Sequence, residues 1–313
     1  MKKIFIAGHK GMVGSAIFRK LQNKPNRIVI ADKRKLNLLD QKSVLSFFKR
    51  NKFDEVYLCA AKVGGIHANT TYVADFIYQN LEIQNNLIHS AYLTKVKRLM
   101  FLGSSCVYPK KPKIPIKEEY LLTSELENTN EMYAIAKIAG LKLCKAYNSQ
   151  FKTDFRAVMP TNLYGQNDNY DNLNSHVLAA LIKKIILAKK QNKKSFIVWG
   201  TGKPKREFLH VDDLANATVK IMNLSKKKYN KIAGEKFPFI NVGSGTDISI
   251  KDLAKLICKI VGFKGKMIFD KSKPDGTYRK LMDNKKLKKI KWKPKISLNV
   301  GIKKTISDFK ATI

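Results

Sequence analysis

Short apolar runs alternate with longer amphipathic segments along the first half of the chain. The runs are rich in Val, Ile, Leu and Phe, as strands are, and they read KIFIAG, RIVIAD, EVYLCAA, RLMFLGS and FRAVMPTNL. The segments between them have helical spacing and are Met12–Gln22, Lys42–Lys49, Ala74–Tyr92 and Glu131–Ser149. This alternation, with right-handed crossovers, predicts an α/β fold with a doubly wound parallel sheet that is buried on both faces.

The second half of the chain has a less regular pattern. The polar stretch QNDNYDNLNSH predicts a loop after Gly165. Helices are expected at His176–Lys190, Val211–Leu224, Ile250–Val261 and Val300–Phe309, with short strands at Phe196–Trp199, Phe239–Val242 and Lys266–Phe269. We therefore expect a first domain over residues 1–165 and a smaller C-terminal lobe over residues 166–313, interleaved with the last strands of the sheet.

Three glycines follow the first strand in the stretch IFIAGHKGMVGSAI. Gly8 permits a tight turn, Gly11 lets the backbone approach a pyrophosphate, and Gly14 lets the helix pack against the sheet. The amides of Met12 and Val13, at the helix start, would face the phosphates. This placement between a strand and a helix predicts dinucleotide binding on a Rossmann sheet, with a purely structural turn as the alternative.

The end of the second strand carries opposite signals about the cofactor. Asp32 is placed to accept hydrogen bonds from the ribose hydroxyls of NAD. Lys10, Lys33 and Arg34 could instead hold the 2′-phosphate of NADP. We expect NADP(H), because three cations surround that position against one acid.

Hydroxyl, thiol and amine groups follow the next strands. Ser104, Ser105 and Cys106 stand together after RLMFLG, and Tyr133 and Lys137 are four residues apart on one face of a predicted helix. A tyrosine has a pKa near ~10 and is a poor acid–base group at neutral pH unless a neighbouring ammonium favours its phenolate. In an extended segment, Ser105 would point away from its two neighbours.

Together with the glycine loop, these residues resemble those of the extended short-chain dehydrogenase/reductase family. In that family a strand-end serine, a tyrosine and a lysine act on a carbonyl–carbinol centre. The stretches AAKVGG and PTNLYG and Asn80 fit the same scaffold. The resemblance implies that the cofactor also contacts Lys137, Pro160, Asn162, Leu163 and His176.

A narrower resemblance extends over almost the whole chain. The motifs GHKGMVGSAI, AAKVGGI, DFIYQN, LGSSCVYPK, YAIAKIAG, NSHV, VWGTG, REFLHVDD and KPDGTYRK are similar to those of the GDP-L-fucose synthase family. Members of that family convert GDP-4-keto-6-deoxy-D-mannose into GDP-L-fucose. They epimerise C3 and C5 and then reduce the C4 ketone with NADPH.

The resemblance implies roles for five residues. Cys106 and His176 would be the epimerisation pair, a base on one face of the sugar and an acid on the other. Ser104 and Tyr133 would hydrogen-bond the C4 oxygen, and Lys137 would support Tyr133. On the residues alone, a cysteine such as Cys106 is more often a packed thiol, and a histidine such as His176 is more often a helix cap or a surface group.

The resemblance also implies a binding site for the GDP moiety. Arg206 and Lys280 match phosphate-binding positions, and Val177, Leu181 and Trp199 match positions that line the nucleotide, although each apolar residue could also belong to the core. Lys184 occupies a position where similar enzymes often carry arginine, and lysine keeps the charge without the bidentate geometry.

Composition limits the remaining classes. The net charge is +37, yet the lysines are spread along the chain without a basic arm, so we expect no specific nucleic-acid binding. The four cysteines are far apart without metal-ligand spacing, which predicts no metal site. The sequence contains no apolar run of about 20 residues, so we expect no membrane span. We expect a cytoplasmic enzyme and, by resemblance, a homodimer; the alternatives are another nucleotide-sugar epimerase or reductase, and a non-catalytic NADP-binding regulator.

Overall fold

The computed structural model describes residues 1–171, 174–273 and 275–311. Its strands are β1 (Lys2–Ala7), β2 (Asn26–Val29), β3 (Glu55–Leu58), β4 (Arg98–Leu102), β5 (Phe155–Pro160), β6 (Asn162–Tyr164), β7 (Ser195–Trp199), β8 (Lys205–His210), β9 (Phe239–Val242), β10 (Asp247–Ser249), β11 (Lys266–Asp270) and β12 (Arg279–Lys280). Its α-helices are α1 (Met12–Gln22), α2 (Gln41–Asn51), α3 (Ile66–Thr71), α4 (Val73–Leu93), α5 (Glu131–Phe151), α6 (Val177–Lys190), α7 (Val211–Met222), α8 (Lys226–Ala233), α9 (Ile250–Val261), α10 (Lys285–Lys289) and α11 (Leu298–Lys310).

Six parallel strands form the main sheet in the order β2-β1-β3-β4-β5-β9. Side chains alternate between its two faces because successive Cβ atoms in a strand point in opposite directions. Phe5 belongs to an apolar cluster with α2, α4 and α5, whereas Ile4 and Ile6 belong to a second cluster with α1, α7 and α8. Burying one such side chain contributes about 1.5–3 kcal/mol. The predicted α/β class and doubly wound parallel sheet are confirmed.

A smaller set of strands lies beyond the main sheet. Strand β8 pairs with β10, β12 and β6, and β11 pairs with β7. Helices α6, α9 and α11 cover a third apolar cluster here. The chain returns to the main sheet at β9 before it completes this region, as interleaving requires. We retain residues 1–165 and 166–313 as a proposed division into domains.

The run FRAVMPTNL forms two strands, where the pattern predicts one. The break falls at Thr161, whose hydroxyl donates to the Glu207 carbonyl at 3.1 Å, while its amide donates to the Val242 carbonyl. The chain therefore leaves the main sheet after β5, and β6 pairs with β8 instead. These long-range bonds leave no local mark in the sequence.

Two lysine-rich stretches that look like solvated surface are helices. Helix α8 buries Tyr229 and Ile232, and α10 buries Leu287. The lysines lie around these anchors. Among the described residues, no helix is both long and apolar enough to cross a bilayer. In the same part of the chain, no three His, Cys, Asp or Glu side chains are grouped so that they could hold a metal ion.

Candidate active site

A cavity of about 980 Å³ lies at the carboxyl edge of the main sheet and continues between that edge and the C-terminal segments. Strand β1 lies between β2 and β3, so the strand order reverses here and the connections leave in opposite directions. Ligands of open α/β sheets bind in such crevices.

All the predicted site residues except Arg34 lie on the wall of this cavity. They are Gly8, Lys10, Gly11, Met12, Val13, Gly14, Lys33, Ser104, Cys106, Tyr133, Lys137, Pro160, Asn162, Leu163, His176, Val177, Leu181, Lys184, Trp199, Arg206 and Lys280. Tertiary folding thus brings together residues that are up to 272 positions apart, from Gly8 to Lys280.

The three glycines of the first turn differ in what their neighbours allow. Gly8 has φ +85°, and a Cβ on Gly14 would lie 2.1 Å from the Gly8 carbonyl oxygen. Both positions are therefore closed by the chain itself. A Cβ on Gly11 would approach only the Gly8 oxygen, at 3.5 Å, an ordinary contact. The protein itself thus does not require glycine at position 11, and the space beside Gly11 suits the close approach of a ligand backbone or phosphate.

The N-terminus of α1 is open to an anion. Gly11 caps the helix without a side-chain hydrogen bond, and the first turn contains no acidic residue. The free amides and the helix dipole favour a phosphate at this position. The residues present therefore fit the pyrophosphate of a dinucleotide.

The Asp32 carboxylate accepts hydrogen bonds within its own turn. Its Oδ1 accepts hydrogen bonds from the amides of Arg34 and Lys35, and its Oδ2 lies 3.6 Å from Lys10 Nζ. The Lys35 amide bond, with the nearby Lys10 charge, lowers the pKa of Asp32. Lys10 and Lys33 line the cavity, whereas Arg34 is not part of its wall, so the expected trio of cations is reduced to two.

The loop after β3 forms another part of the wall. The Asn80 side chain accepts from the amide of Lys62 and donates to its carbonyl, both at 3.0 Å, which fixes the AAKVGG stretch. A Cβ on Gly8 would lie 2.7 Å from the amide nitrogen of Ala60, so this loop and the glycine turn pack directly against each other.

The strand-end serines have different surroundings. Ser104 precedes a short 3₁₀ helix over Ser105–Val107, and its Oγ accepts the Cys106 amide at 3.3 Å. Ser104 and half-buried Cys106 reach the cavity. Ser105 is buried and is not on the wall. The reason differs from the expected one, because Ser105–Val107 is a 3₁₀ helix and not an extended segment.

Tyr133 and Lys137 lie one turn apart on α5. Lys137 is 4% exposed, donates from Nζ to the Leu102 carbonyl at 2.9 Å, and lies 5.8 Å from the centre of the Tyr133 ring. Burial lowers the pKa of Lys137 to about 8. Burial, and then the charge of Cys106, raise the pKa of Tyr133 against the opposite effect of a hydrogen bond with Ser104.

The expectation that Lys137 lowers the pKa of Tyr133 is therefore not met. The ammonium bonds to the β4 carbonyl rather than to the phenol oxygen, and burial dominates. Tyr133 stays protonated at neutral pH, which suits a proton donor.

His176 is the N-cap residue directly before α6, but its side chain makes no capping hydrogen bond. The ring is exposed to the cavity and enclosed by protein, and this enclosure lowers its pKa. His176 therefore lies at the helix N-cap without a capping bond from its ring, and the ring lines the cavity.

Cations and an aromatic ring occupy the far end of the cavity. Lys184 Nζ lies 4.9 Å from the centre of the Trp199 ring, and Trp199 is 42% exposed. Arg206 on β8 pairs in register with Lys280 on β12, so both cations share one position on the wall. Val177 is also exposed, whereas Leu181 is buried in the third apolar cluster and mainly shapes the wall.

The sequence pattern did not predict six further wall residues, which are Lys62, Glu127, Thr129, Asn130, Asp275 and Thr277. Most lie in irregular segments, where no periodicity points to a site. The one local signal is at Asn130, an asparagine directly before a helix and three residues before Tyr133.

The sequence model of the NAD dependent epimerase/dehydratase family matches residues 4–233. The chain belongs to this family. Within the epimerase/dehydratase family, it is 51% identical to GDP-L-fucose synthase of Escherichia coli (strain K12), over 98% of this chain and 96% of that protein. It is 53% identical to GDP-L-fucose synthase 1 of Arabidopsis thaliana, over 97% of this chain and 91% of that one. The resemblance to GDP-L-fucose synthases that the sequence motifs indicate is confirmed by these relatives.

Solved structures agree with these sequence relationships. A GDP-L-fucose synthetase from Naegleria fowleri bound to NADP has a TM-score of 0.87 and 26% identity, over 99% of this chain and 94% of that one. A GDP-6-OMe-4-keto-L-xylo-heptose reductase from C. jejuni has a TM-score of 0.93 and 39% identity, over 100% of this chain and 98% of that one.

Proposed function

We propose that this protein is a bifunctional epimerase and reductase that converts GDP-4-keto-6-deoxy-D-mannose into GDP-L-fucose with NADPH. The observation that carries the proposal is one continuous cavity. It contains a cradle for a pyrophosphate, the Ser104, Tyr133 and Lys137 set, and the Cys106 and His176 pair. Relatives at 51% and 53% identity over nearly their whole length are named GDP-L-fucose synthases.

NADP(H) is the cofactor in this proposal. The pyrophosphate would rest against Gly11 and the start of α1, and Lys10 and Lys33 would hold the 2′-phosphate. Pro160, Asn162 and Leu163 line the cavity where β5 ends. When bound, NADPH supplies the hydride that reduces the C4 carbonyl carbon.

The GDP moiety would occupy the opposite end. Arg206 and Lys280 provide positive charge for the diphosphate, and Trp199 and Val177 provide exposed apolar surface for guanine. Burial lowers the pKa of Arg206, although guanidinium remains charged at any physiological pH. Lys184 already lies over Trp199, so it would help to hold the ring in place.

Epimerisation follows from the C4 ketone, which acidifies the protons on C3 and C5. The Cys106 thiolate would take a proton from one face, and the electron pair of the C–H bond would move into the C4 oxygen. Ser104 and Tyr133 would hydrogen-bond that oxygen and stabilise the enolate. His176, acting in this step as the imidazolium, would return its ring proton to the carbon from the other face, which inverts the carbon and leaves a neutral imidazole.

Reduction uses the same oxygen. As C4 gains a hydride, its oxygen gains negative charge, and Tyr133 would transfer the phenolic proton to it. The raised pKa of Tyr133 keeps that proton on the phenol until it is needed. Lys137 would stabilise the phenolate that remains, since its ammonium lies beside the ring.

A second candidate is reduction alone, on a GDP-keto-heptose. The solved C. jejuni heptose reductase matches the whole chain with a TM-score of 0.93. The presence of Cys106 and His176 on the wall supports epimerisation as well.

Substitution of Cys106 separates these candidates. Cys106→Ser keeps the size but provides a far weaker base, so deuterium from D₂O should no longer enter at C3 and C5, a loss of about 10²–10⁴-fold. NADPH binding should be unchanged, because Tyr133 and Lys137 remain. The measurement is NMR of the sugar after incubation of enzyme and GDP-4-keto-6-deoxy-D-mannose in D₂O. Wild-type exchange in the variant would eliminate Cys106 as the base.

The proposal also covers the oligomeric state of the protein. Helices α4 and α5 pack against each other and expose Tyr78, Leu93 and Phe151, which supports a homodimer through this face. The cytoplasmic location and the lack of specific nucleic-acid binding stay predictions from the sequence.

A further inference from the structure

Asn130 occupies the N-cap position of α5, the helix that carries Tyr133 and Lys137. Asparagine is favoured there because its side-chain oxygen accepts an amide of the first turn, which stabilises the helix. Asn130 makes no such bond, and its Oδ1 has no hydrogen-bond partner within the described part of the chain. Other caps of this protein do make the bond, namely Asp40, Ser225, Ser249 and Ser297.

The Asn130 amide is instead directed at the thiol. Its Nδ2 donates to Cys106 Sγ at 3.5 Å. A hydrogen bond from an N–H group favours the charged form of its acceptor, here the thiolate over the thiol. Asn130 thus forgoes helix capping for a contact with the sulfur, and local departures of this kind are expected at functional sites.

Both partners in this contact are held by their own turns. The backbone amide of Cys106 donates to Ser104 Oγ, and the backbone amide of Asn130 donates to the Glu127 carbonyl at 3.0 Å. Tyr133 from α5 is a titratable group close to Cys106, since the Cys106 charge raises the pKa of Tyr133. The carboxylate of Glu127, three residues before Asn130, lies 3.9 Å from Lys110 Nζ. The sulfur is therefore fixed relative to the helix that carries the phenol.

We propose that Asn130 is a positioning residue whose side-chain amide donates to the Cys106 sulfur and holds it at the wall of the cavity for reaction. This inference rests on the proposed function, in which Cys106 is the base of epimerisation. Asn130 connects the two halves of the reaction, because it contacts the base and begins the helix that bears the proton donor.

Two substitutions remove the amide donor without removing the capacity to cap α5. Asn130→Asp keeps the shape, and Asn130→Ser adds no charge. Alkylation of Cys106 by iodoacetamide at pH 7 should fall about tenfold in both, with the pH profile of alkylation moved to higher pH. Deuterium entry at C3 and C5 should fall by a similar factor. The melting temperature should be unchanged or higher, since either side chain can now cap the helix.

Asn128→Asp is the matched control. Asn128 and Asn130 belong to one short 3₁₀ helix, Asn128–Asn130, Asn128 is exposed, and the charge change is the same as in Asn130→Asp. Alkylation of half-buried Cys258 in the same samples, mapped by mass spectrometry, controls for reagent and folding. Tenfold loss at Cys106 with normal Cys258 alkylation, NADPH affinity and melting temperature supports the proposal.

Wild-type alkylation of Cys106 in both Asn130 variants overturns it. So does a loss of alkylation that Asn128→Asp shares, or one accompanied by lower melting temperature and weaker NADPH binding. A failure of the proposed function gives a different pattern. In that case the Cys106→Ser variant still exchanges deuterium, while alkylation of Cys106 in the enzyme that retains the cysteine still depends on Asn130.

Discussion

At the scale of single residues, burial determines how the site titrates. Tyr133 keeps its proton because burial disfavours the phenolate, and Lys137 loses its proton at lower pH than a free lysine because burial disfavours the ammonium. These directions assign the phenol as the acid and place the change of the amine near pH 8.

A pH dependence follows from Lys137. Below about pH 8 its ammonium is charged and can stabilise the Tyr133 phenolate; above that pH the neutral amine cannot. We expect kcat/KM for reduction to fall as pH rises through about 8, since this parameter reports groups of the free enzyme. Initial rates of NADPH oxidation from pH 6 to 10 test this, with circular dichroism to verify folding.

Lys137→Met is the companion variant. It should be slow at all pH values, by about 10²-fold or more, and should lack the decline above pH 8. A wild-type profile that stays flat to pH 10, or a Met variant that retains the decline, would assign that titration to another group.

At the scale of elements, the glycine loop GHKGMVG, which joins β1 to the first turn of α1, contains two glycines with different tasks, Gly11 and Gly14. A Cβ on Gly14 would lie 2.1 Å from the Gly8 oxygen, a backbone atom that cannot move independently. Gly14→Ala should therefore displace α1 from the sheet and reduce stability by about 1–3 kcal/mol.

Gly11→Ala is the matched comparison on the same turn. Its Cβ meets only ordinary contacts from the protein, so the melting temperature should change little, while the methyl group should weaken NADPH binding. Thermal melts and NADPH titration of both variants provide the test. Equal loss of stability in the two would contradict this division of tasks.

At the scale of the whole molecule, charge is distributed unevenly. The chain carries 61 Lys and Arg against 24 Asp and Glu, yet α4 contains no Lys or Arg. Tyr78 and Leu93 are exposed on it. The α4 side of this face, free of Lys and Arg and partly apolar in a molecule of net charge +37, is where two copies can meet with little repulsion.

We expect a dimer in sedimentation experiments, strengthened by added salt because salt screens the repulsion between the copies. Leu93→Lys should shift the equilibrium towards monomer. Val300→Lys, an equally exposed apolar position on α11, should leave it unchanged. A monomer at all protein and salt concentrations would argue against this face as an interface.

Local pattern was sufficient for most of the architecture. The bounds expected for α1, α9 and β9 agree with the structure, since strong periodicity and clear turn residues surround them. The pattern missed β8, α8 and α10, whose stability depends on distant partners. The pattern also did not identify the wall residues Glu127, Asn130 and Asp275, because the segments around them are too short to show a periodicity.

The amino-acid sequence alone determines the alternation of strands and helices, the glycine turn and the set of reactive residue types, because each depends on neighbours within a few positions. Tertiary structure alone decides which of these residues share a cavity and how they titrate. Asp32 is bound to its own turn, Lys137 bonds a strand carbonyl, and Asn130 turns from its helix to Cys106. Burial and long-range hydrogen bonds cause these outcomes, and both exist only once the chain has folded.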